Sequence, residues 1–457
     1  MRGVDVSAVD VDLAKRAVET AVANGADDAE AYAIEETRRE ISVYGEEVES
    51  LTAASQRGIG IRAWIGSRVG YGFGTDLSPD GLAQAAARAV STAEAADPDE
   101  FAGPPASAGE TPVVAGLSDS SASEWETAEA IELALAVERA ATQADPRVAG
   151  VTQAVYVDGV ERVGIAGSTG IAGEFEASTA YAYTQALAEG ERSRETGLGF
   201  GLARGPAGLD PAAIGQEAAE RATEMIGASK PDSRACPVIL DPTVAASFVG
   251  LLGGTLGADS VQRGRSPLAE RLGDEVAGEA FVLHDDGLDP GGPASSPVDG
   301  EGVPHRRTAL IEEGRLRTFL YDTYAARRGG TESTGNAGRA GYRTSPSVSA
   351  SNLIVTPGSL SFEDLLAEVG EGICITDVAG LHSGVNPISG VFSVGASGRV
   401  ISGGELAEPV REFTIASDLV SMLRAIRAVG ATARWVPFGG SVRTAPLLID
   451  EMTISGS

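Results

Sequence analysis

The sequence predicts an α+β fold: a duplicated helix–antiparallel-strands–helix N-terminal region, followed by a β-rich mixed C-terminal domain. Three observations predict it. A helical pattern, a set of alternating stretches and a second helical pattern occur in that order twice. A stretch rich in Pro, Gly, Ala and Ser (97–118) separates the two occurrences. Beyond Lys230-Pro231-Asp232, short apolar runs and hairpin turns take over. A chain of 457 residues is long enough for about two to four domains with ample core. The boundaries expected are a first α+β subdomain over 1–96, a linker over 97–118, a second subdomain over 119–229 and the C-terminal domain over 235–457.

The first helix starts with Asp10 as N-cap, follows a helical pattern through Leu13, Ala17, Val18, Ala21 and Val22, and stops at Asn24-Gly25. Alternation over 30–34, 40–44, 48–54, 58–64 and 68–73 reads as antiparallel strands, with turns at Tyr44-Gly45 and Ile65-Gly66-Ser67. Ser78-Pro79-Asp80 opens an alanine-rich helix to about Ala95, with proline at its first position. The second occurrence has a helix over about 121–144, strands over 151–157, 160–166, 172–188 and 195–203, and a helix from Asp210-Pro211 to Ile226. In the last block, strands are expected near Val238, Thr308 and Ile354, and a hairpin turns at Glu313-Gly314. Helices are expected over 244–252, 362–369 and 417–429.

Composition excludes several functions. A net charge of −30 opposes binding to nucleic acid or to anionic lipid, both of which need clustered positive charge. No apolar run reaches membrane-spanning length, and the first residues lack a hydrophobic signal core, which places the chain in the cytoplasm. Two cysteines, Cys236 and Cys374, make no disulfide framework and read as buried thiols.

Local motifs for chemistry are sparse. The three histidines, His284, His305 and His382, each stand alone, whereas helical zinc sites need ligands one turn apart. No Gly-x-Ser-x-Gly elbow is present. Neither lysine, Lys15 or Lys230, follows a glycine-rich loop, so a Walker-type phosphate site is absent. Asp285-Asp286 and Glu312-Glu313 read as solvated turns in so acidic a chain. Ser333–Gly338, followed by Arg339 and Arg343, reads as a loop that could accept an anion. The strongest remaining candidate is Gly380–Gly398, whose glycines leave backbone groups accessible to an extended peptide. Within it His382, Ser383, Gly384 and Asn386 are the expected peptide or partner contacts, on turn-like positions.

Two stretches carry a family resemblance. The first is VILDPTVAASFVGLLGGTLGADSVQRGRSP (residues 238–267), a buried strand running into an apolar, glycine-broken helix. The second is GLHSGVNPISGVFSVGASGRVISGGEL (Gly380–Leu406). With Ser295–Gly330, Ser333–Gly338 and Ala445–Gly456, they make the chain similar to the TldD/PmbA family of peptidase subunits. In the catalytic branch of that family, the helix after the strand carries His-Glu-x-x-x-His, and a cysteine near the C-terminus completes the zinc site. The histidine positions correspond here to Gly250 and Thr255, the glutamate to Leu251, and the cysteine region to Arg434–Ser441, which has no cysteine. The chain therefore resembles the PmbA (TldE) branch, which lacks the zinc motif.

This resemblance implies a non-catalytic subunit of a cytosolic TldD/TldE-type zinc metalloprotease that degrades unfolded peptides or trims leader peptides. Zinc is then expected in a TldD-type partner and no cofactor in this chain, which would be inactive alone. Partners are the zinc subunit, as a heterodimer or larger assembly, and unfolded peptide. Self-association through the C-terminal domain is a further expectation, because the glycine-rich segment Phe248–Leu256 makes a poor solitary surface helix. The alternative is a standalone peptide-binding protein or a homodimeric hydrolase with an unrecognised site.

Overall fold

The structure is a computed structural model that describes residues 9–106, 110–191 and 193–457. Residues 1–8, read above as lacking a signal core, and 107–109 of the linker lie outside the described residues. The fold is α+β, as the sequence predicts.

The first repeat runs α1 (Val11–Ala23), β1 (Asp28–Tyr44), β2 (Glu47–Ile65), β3 (Arg68–Gly74) and α2 (Pro79–Ala95). Asp10 and Ser78 cap the two helices through side-chain acceptors, and Pro79 sits in the first turn. A one-turn helix α3 (Ser121–Glu124) precedes the second repeat: α4 (Thr127–Ala144), β4 (Val148–Gly167), β5 (Ala172–Glu189), β6 (Arg194–Ala203) and α5 (Pro211–Glu224). The break between α3 and α4 corrects the single helix expected over 121–144. Glu126 and Glu129 form a capping box that restarts the chain at Thr127. The strands are longer than the alternation suggests. What reads as two strands over 30–44, two over 48–64 and two over 151–166 is in each case one strand. β1 and β4 each have a less buried middle stretch, over 35–40 and 159–162, and β2 is exposed over 47–57, which interrupts the pattern while the pairing continues.

The two repeats share one antiparallel sheet, ordered β3-β2-β1-β4-β5-β6. Its centre is the ladder between β1 and β4, from Glu30 opposite Gly167 to Val43 opposite Ala154. Helices α1 and α2 cover the first half through Leu13, Ala17, Leu82, Ala85 and Ala89; α4 and α5 cover the second. The stretch after α2 is anchored: Tyr324 Oη donates to Asp99 at 2.9 Å, and Phe101 meets the Tyr324 ring edge-on.

The C-terminal region holds β7 (Arg234–Leu240), α6 (Pro242–Thr255), α7 (Ala258–Gln262), β8 (Leu283–Asp286), β9 (Arg307–Glu312), β10 (Arg315–Leu316) and α8 (Thr323–Gly329). After these come β11 (Ala337–Gly338), β12 (Ser347–Val348), β13 (Leu353–Val355), α9 (Phe362–Val369), β14 (Gly372–Ala379) and α10 (Leu381–Gly384). The last elements are β15 (Val391–Ser402), β16 (Glu405–Asp418), α11 (Leu419–Arg424), β17 (Ile426–Val429), β18 (Arg434–Val436), β19 (Val442–Thr444) and β20 (Leu447–Ser455). One sheet is ordered β10-β9-β8-β13-β19-β18. A two-stranded sheet joins β11 to β12, and a second six-stranded sheet is ordered β16-β15-β14-β7-β20-β17, with Thr414–Ala416 of β16 also paired to the end of β20. The helix expected over 417–429 ends at Arg424, and Ile426–Val429 pairs with β20 instead.

Most of the large apolar core lies here, around Phe248, Phe281, Phe392 and Phe413. Helix α6 is part of that core: Val244, Ala245, Phe248, Val249, Leu252 and Thr255 are buried. Within the glycine-rich segment Phe248, Val249, Leu252, Thr255 and Leu256 pack into this core, while Gly250, Gly253 and Gly254 line a cleft. Among the described residues no helix is long and apolar enough to cross a membrane.

Candidate functional site

Strand β7 sits between β14 and β20 with Val238, Ile239 and Leu240 fully buried. It delivers the chain to Asp241, whose Oδ1 accepts from the N–H groups of Thr243 (2.8 Å) and Val244 (3.0 Å). This cap with Pro242 behind it starts α6 and aims the helix at the loop after β18. A Cβ on Gly250 would lie 2.6 Å from the carbonyl oxygen of Gly439. Helix and loop thus meet where the resemblance places a zinc site, and they meet backbone to backbone. Thr255 is buried, and its hydroxyl donates to Leu252 O at 3.1 Å within its own helix. The cleft there, about 220 Å³, is lined by Gly250, Gly253, Gly254, the segment 349–351 and Gly439–Ser441. These residues do not fit zinc: Gly250 and Leu251 offer no ligand atom, Thr255 is turned away, and Gly439 fills the space a histidine would need. Among the described residues no cluster of three or more His, Cys, Asp or Glu could hold a metal ion.

A larger cleft, about 490 Å³, lies between one face of the N-terminal sheet and loops of the C-terminal domain, and it shares 349–351 with the glycine-lined cleft. Its floor is a buried polar network. Asp285 Oδ2 accepts from Asn336 Nδ2 (2.6 Å) and Ser351 Oγ (2.7 Å), and Oδ1 accepts from Ser351 N (2.8 Å). Burial pushes the Asp285 carboxyl up to about 6, against the pull of those donors. Asp285 is therefore an interior structural group, which corrects its reading as a solvated turn; Glu312 and Glu313 are exposed as expected. His305 lines the same cleft and is buried, which pulls its pKa down to about 4. His284, buried beside Arg307, is likewise lowered to about 4, by burial first and then by that cation.

Arg339 is not free to accept an anion from solution. Its guanidinium pairs with Glu30, which also holds Arg62, and Arg62 reaches Glu301 at 2.9 Å. Burial works against the Glu301 carboxylate, but Arg62 and the Thr323 N–H outweigh it and hold its pKa below the usual range. This four-residue network ties β1 and β2 to the C-terminal loops.

The loop after β14 stands apart from both clefts; none of their lining residues comes from 380–390. His382 and Ser383 are exposed on α10, and among the described hydrogen bonds none involves the His382 ring. Gly384 packs against the Ser393 carbonyl, where a Cβ would approach to 2.5 Å. Asn386 Oδ1 accepts from Ile388 N (3.0 Å) and Ser389 N (3.1 Å), closing the turn. Ile388 and Val391 beside it are each 54 % exposed.

The comparisons with known proteins cover the whole arrangement. Descriptions of the PmbA/TldA metallopeptidase domain 1, central domain and C-terminal domain match residues 29–93, 121–226 and 233–456. The chain belongs to the PmbA/TldD family. Metalloprotease PmbA of Escherichia coli O157:H7 is 30% identical over 97% of this chain and 96% of its own length. A metalloprotease PmbA homolog of Haemophilus influenzae is 29% identical over 96% and 95%. Among solved structures, a candidate modulator of DNA gyrase from Thermotoga maritima superposes with a TM-score of 0.90 at 26% identity, covering 97% of this chain and 99% of that one. TldE from Thermococcus kodakarensis, at 23% identity and a TM-score of 0.89 over 97% and 100%, shares the fold.

Within this PmbA/TldD frame, motif reading located α6 and the loop after β18 but missed the cleft between the domains. Asp285, Asn336 and Ser351 come from distant segments, and no local spacing joins them. The one available signal is the apolar run Phe281-Val282-Leu283 leading straight into His284 and Asp285.

Proposed function

We propose that this chain is a PmbA/TldE-type, non-catalytic subunit of a cytosolic TldD/TldE-type zinc peptidase. In this reading it shapes the reaction chamber and holds unfolded or leader peptide, while a TldD-type sister chain carries His-Glu-x-x-x-His and the zinc. The observation that supports it most directly is the approach of Gly250 to Gly439, which leaves no space and no donor for a metal. The loop residues His382, Ser383, Gly384 and Asn386 would contact peptide or the partner, because they present exposed polar groups beside the apolar Ile388 and Val391.

The test is reconstitution. The chain and a TldD-type sister subunit would be co-expressed, only one of them tagged, and cleavage of an unstructured peptide measured. Co-purification with cleavage that depends on zinc in the sister is the expected result. Cleavage by this chain alone, with about one zinc tightly held per chain, would overturn the proposal.

A further inference from the structure

Three carboxylates that line the larger cleft form no ion pair among the described residues: Asp299, which accepts from the N–H groups of Glu301, Val303 and Ala337, and the pair Glu36 and Glu161. Glu36 on β1 and Glu161 on β4 stand directly opposite each other in the central ladder. Their side chains share one face of the sheet, and both line the cleft. Like charges in such a pair repel. Glu36 Oε2 accepts from the neutral amide of Gln56 at 2.7 Å. Among the described residues no ion pair involves Glu36 or Glu161. The arginines that line the cleft are already engaged: Arg38 with Glu40 (2.9 Å) and Tyr181 Oη (3.0 Å), Arg339 with Glu30. The buried acids Glu30 and Glu301, by contrast, each hold an arginine.

A second observation points to a donor from outside. Asn336 lines the same cleft and is 2 % exposed. Its Nδ2 donates to Asp285 Oδ2 and to Ser349 O, but its Oδ1 has no donor among the described residues. Leaving a buried acceptor unmet is costly, and it is expected to be met when a ligand arrives. The Phe175 ring supplies an aromatic wall. Burial, followed by repulsion from Glu36, raises the Glu161 carboxyl to about 7, consistent with a missing counter-ion.

We propose that the cleft between the N-terminal sheet and the C-terminal domain binds the organic cation of a peptide, an ammonium or guanidinium group, between Glu36 and Glu161. A volume of about 490 Å³ takes a side chain with its backbone, not a folded partner. A hard divalent cation is disfavoured, since calcium takes six to eight oxygen ligands, whereas Asp158 is held by Arg39 and Asp299 by three backbone N–H groups, which leaves two carboxylates and one amide. The inference rests on the peptide-holding reading above and names its specificity. A peptide anchored here would lie next to 349–351, the segment shared with the glycine-lined cleft.

Fluorescence anisotropy on the purified full chain tests it with labelled hexapeptides carrying lysine, arginine, or the neutral norleucine or citrulline at one central position. Each would be made with a free and an acetylated amino terminus. At least about tenfold tighter binding of the cationic forms is expected. If acetylation removes the preference, the amino terminus is the cation; if neutralising the side chain does, the side chain is. E36Q/E161Q is expected to lose the preference. Glu161→Lys, which supplies an internal cation, should also lose it while melting no lower than the unaltered chain. Equal affinity for cationic and neutral peptides overturns the proposal, as does a preference retained in E36Q/E161Q, or displacement of peptide by calcium chloride. Reconstituted cleavage that proceeds in the absence of any cation preference would sink this inference and leave the subunit reading standing. A cation preference without cleavage by the reconstituted pair would do the reverse.

Discussion

The carbonyl oxygen of Gly439 occupies the space next to Gly250 into which any side chain at that position would have to grow; a Cβ there would be 2.6 Å away. Separation of this kind is shorter than a carbon–oxygen contact allows, and the obstacle is backbone, which cannot rotate aside as a side chain can. The helix and the loop have therefore closed on each other.

Restoring the motif should not restore the metal. Gly250→His alone is expected to destabilise the chain by about 1–3 kcal/mol, the range for overpacking a filled site. Gly250→His with Leu251→Glu and Thr255→His should still carry no stoichiometric zinc, and neither should the unaltered chain. Urea unfolding and elemental analysis of metal-replete protein measure both. A triple variant that holds one zinc at unchanged stability would mean that the loop yields.

The Glu30, Arg62, Glu301 and Arg339 network should be costly to break. Glu30→Ala leaves two buried guanidinium groups short of a carboxylate, a loss of about 3–5 kcal/mol for a buried pair deprived of one partner. The effect should appear as a lower urea midpoint. A loss below about 1 kcal/mol, typical of exposed pairs, would show that the network contributes little to holding the sheet against the C-terminal loops.

The sequence told more about elements than about neighbours. Asp10, Ser78, Asp210 and Asp241 marked helix starts because capping is a local act, and each is a cap in the structure. Strand length was less legible. Over Glu35–Tyr44 only Ile41 and Val43 are buried, against α4, so the hydrophobic period lapses after Ile34 while the ladder to β4 continues. The candidate site divides in the same way. The missing zinc ligands could be read one by one along α6. The cleft could not, because Glu36 and Glu161 meet only through strand pairing, and Asp285 and Asn336 only through tertiary packing.

Acid should weaken the chain partly through His305. Burial lowers its folded pKa to about 4, whereas an unfolded histidine takes its proton near pH 6.5. Between those values the unfolded chain binds more protons, so this contribution is present above about pH 6.5 and is lost as the pH falls toward 4. Asp285, raised to about 6, acts in the opposite sense: it favours the folded state as the pH falls through 6. His284 acts in the same sense as His305 and Glu161 in the sense of Asp285, so the informative quantity is the difference between the chain and a His305→Asn variant. The variant should lose less stability between pH 6.5 and 4, by about 1–3 kcal/mol. Equal losses in both would mean that His305 is protonated in the folded chain.

The loop after β14 places a turn-closing side chain and an exposed one within a few residues. Asn386 Oδ1 holds two backbone N–H groups, at 3.0 and 3.1 Å. Asn386→Ala should therefore lower the thermal midpoint by an amount equivalent to about 0.5–2 kcal/mol. His382 is exposed, and no described hydrogen bond involves its ring. His382→Ala should accordingly leave the midpoint unchanged. If the loop touches peptide, cleavage per folded complex should fall in His382→Ala. It should fall in Asn386→Ala only as far as the turn loosens. The double variant would then combine the stability loss of one with the activity loss of the other. Unchanged cleavage per folded complex in His382→Ala would leave the loop as a turn and nothing more. The peptide contacts would then have to lie elsewhere, with the cleft that holds Glu36 and Glu161 as the next place to measure.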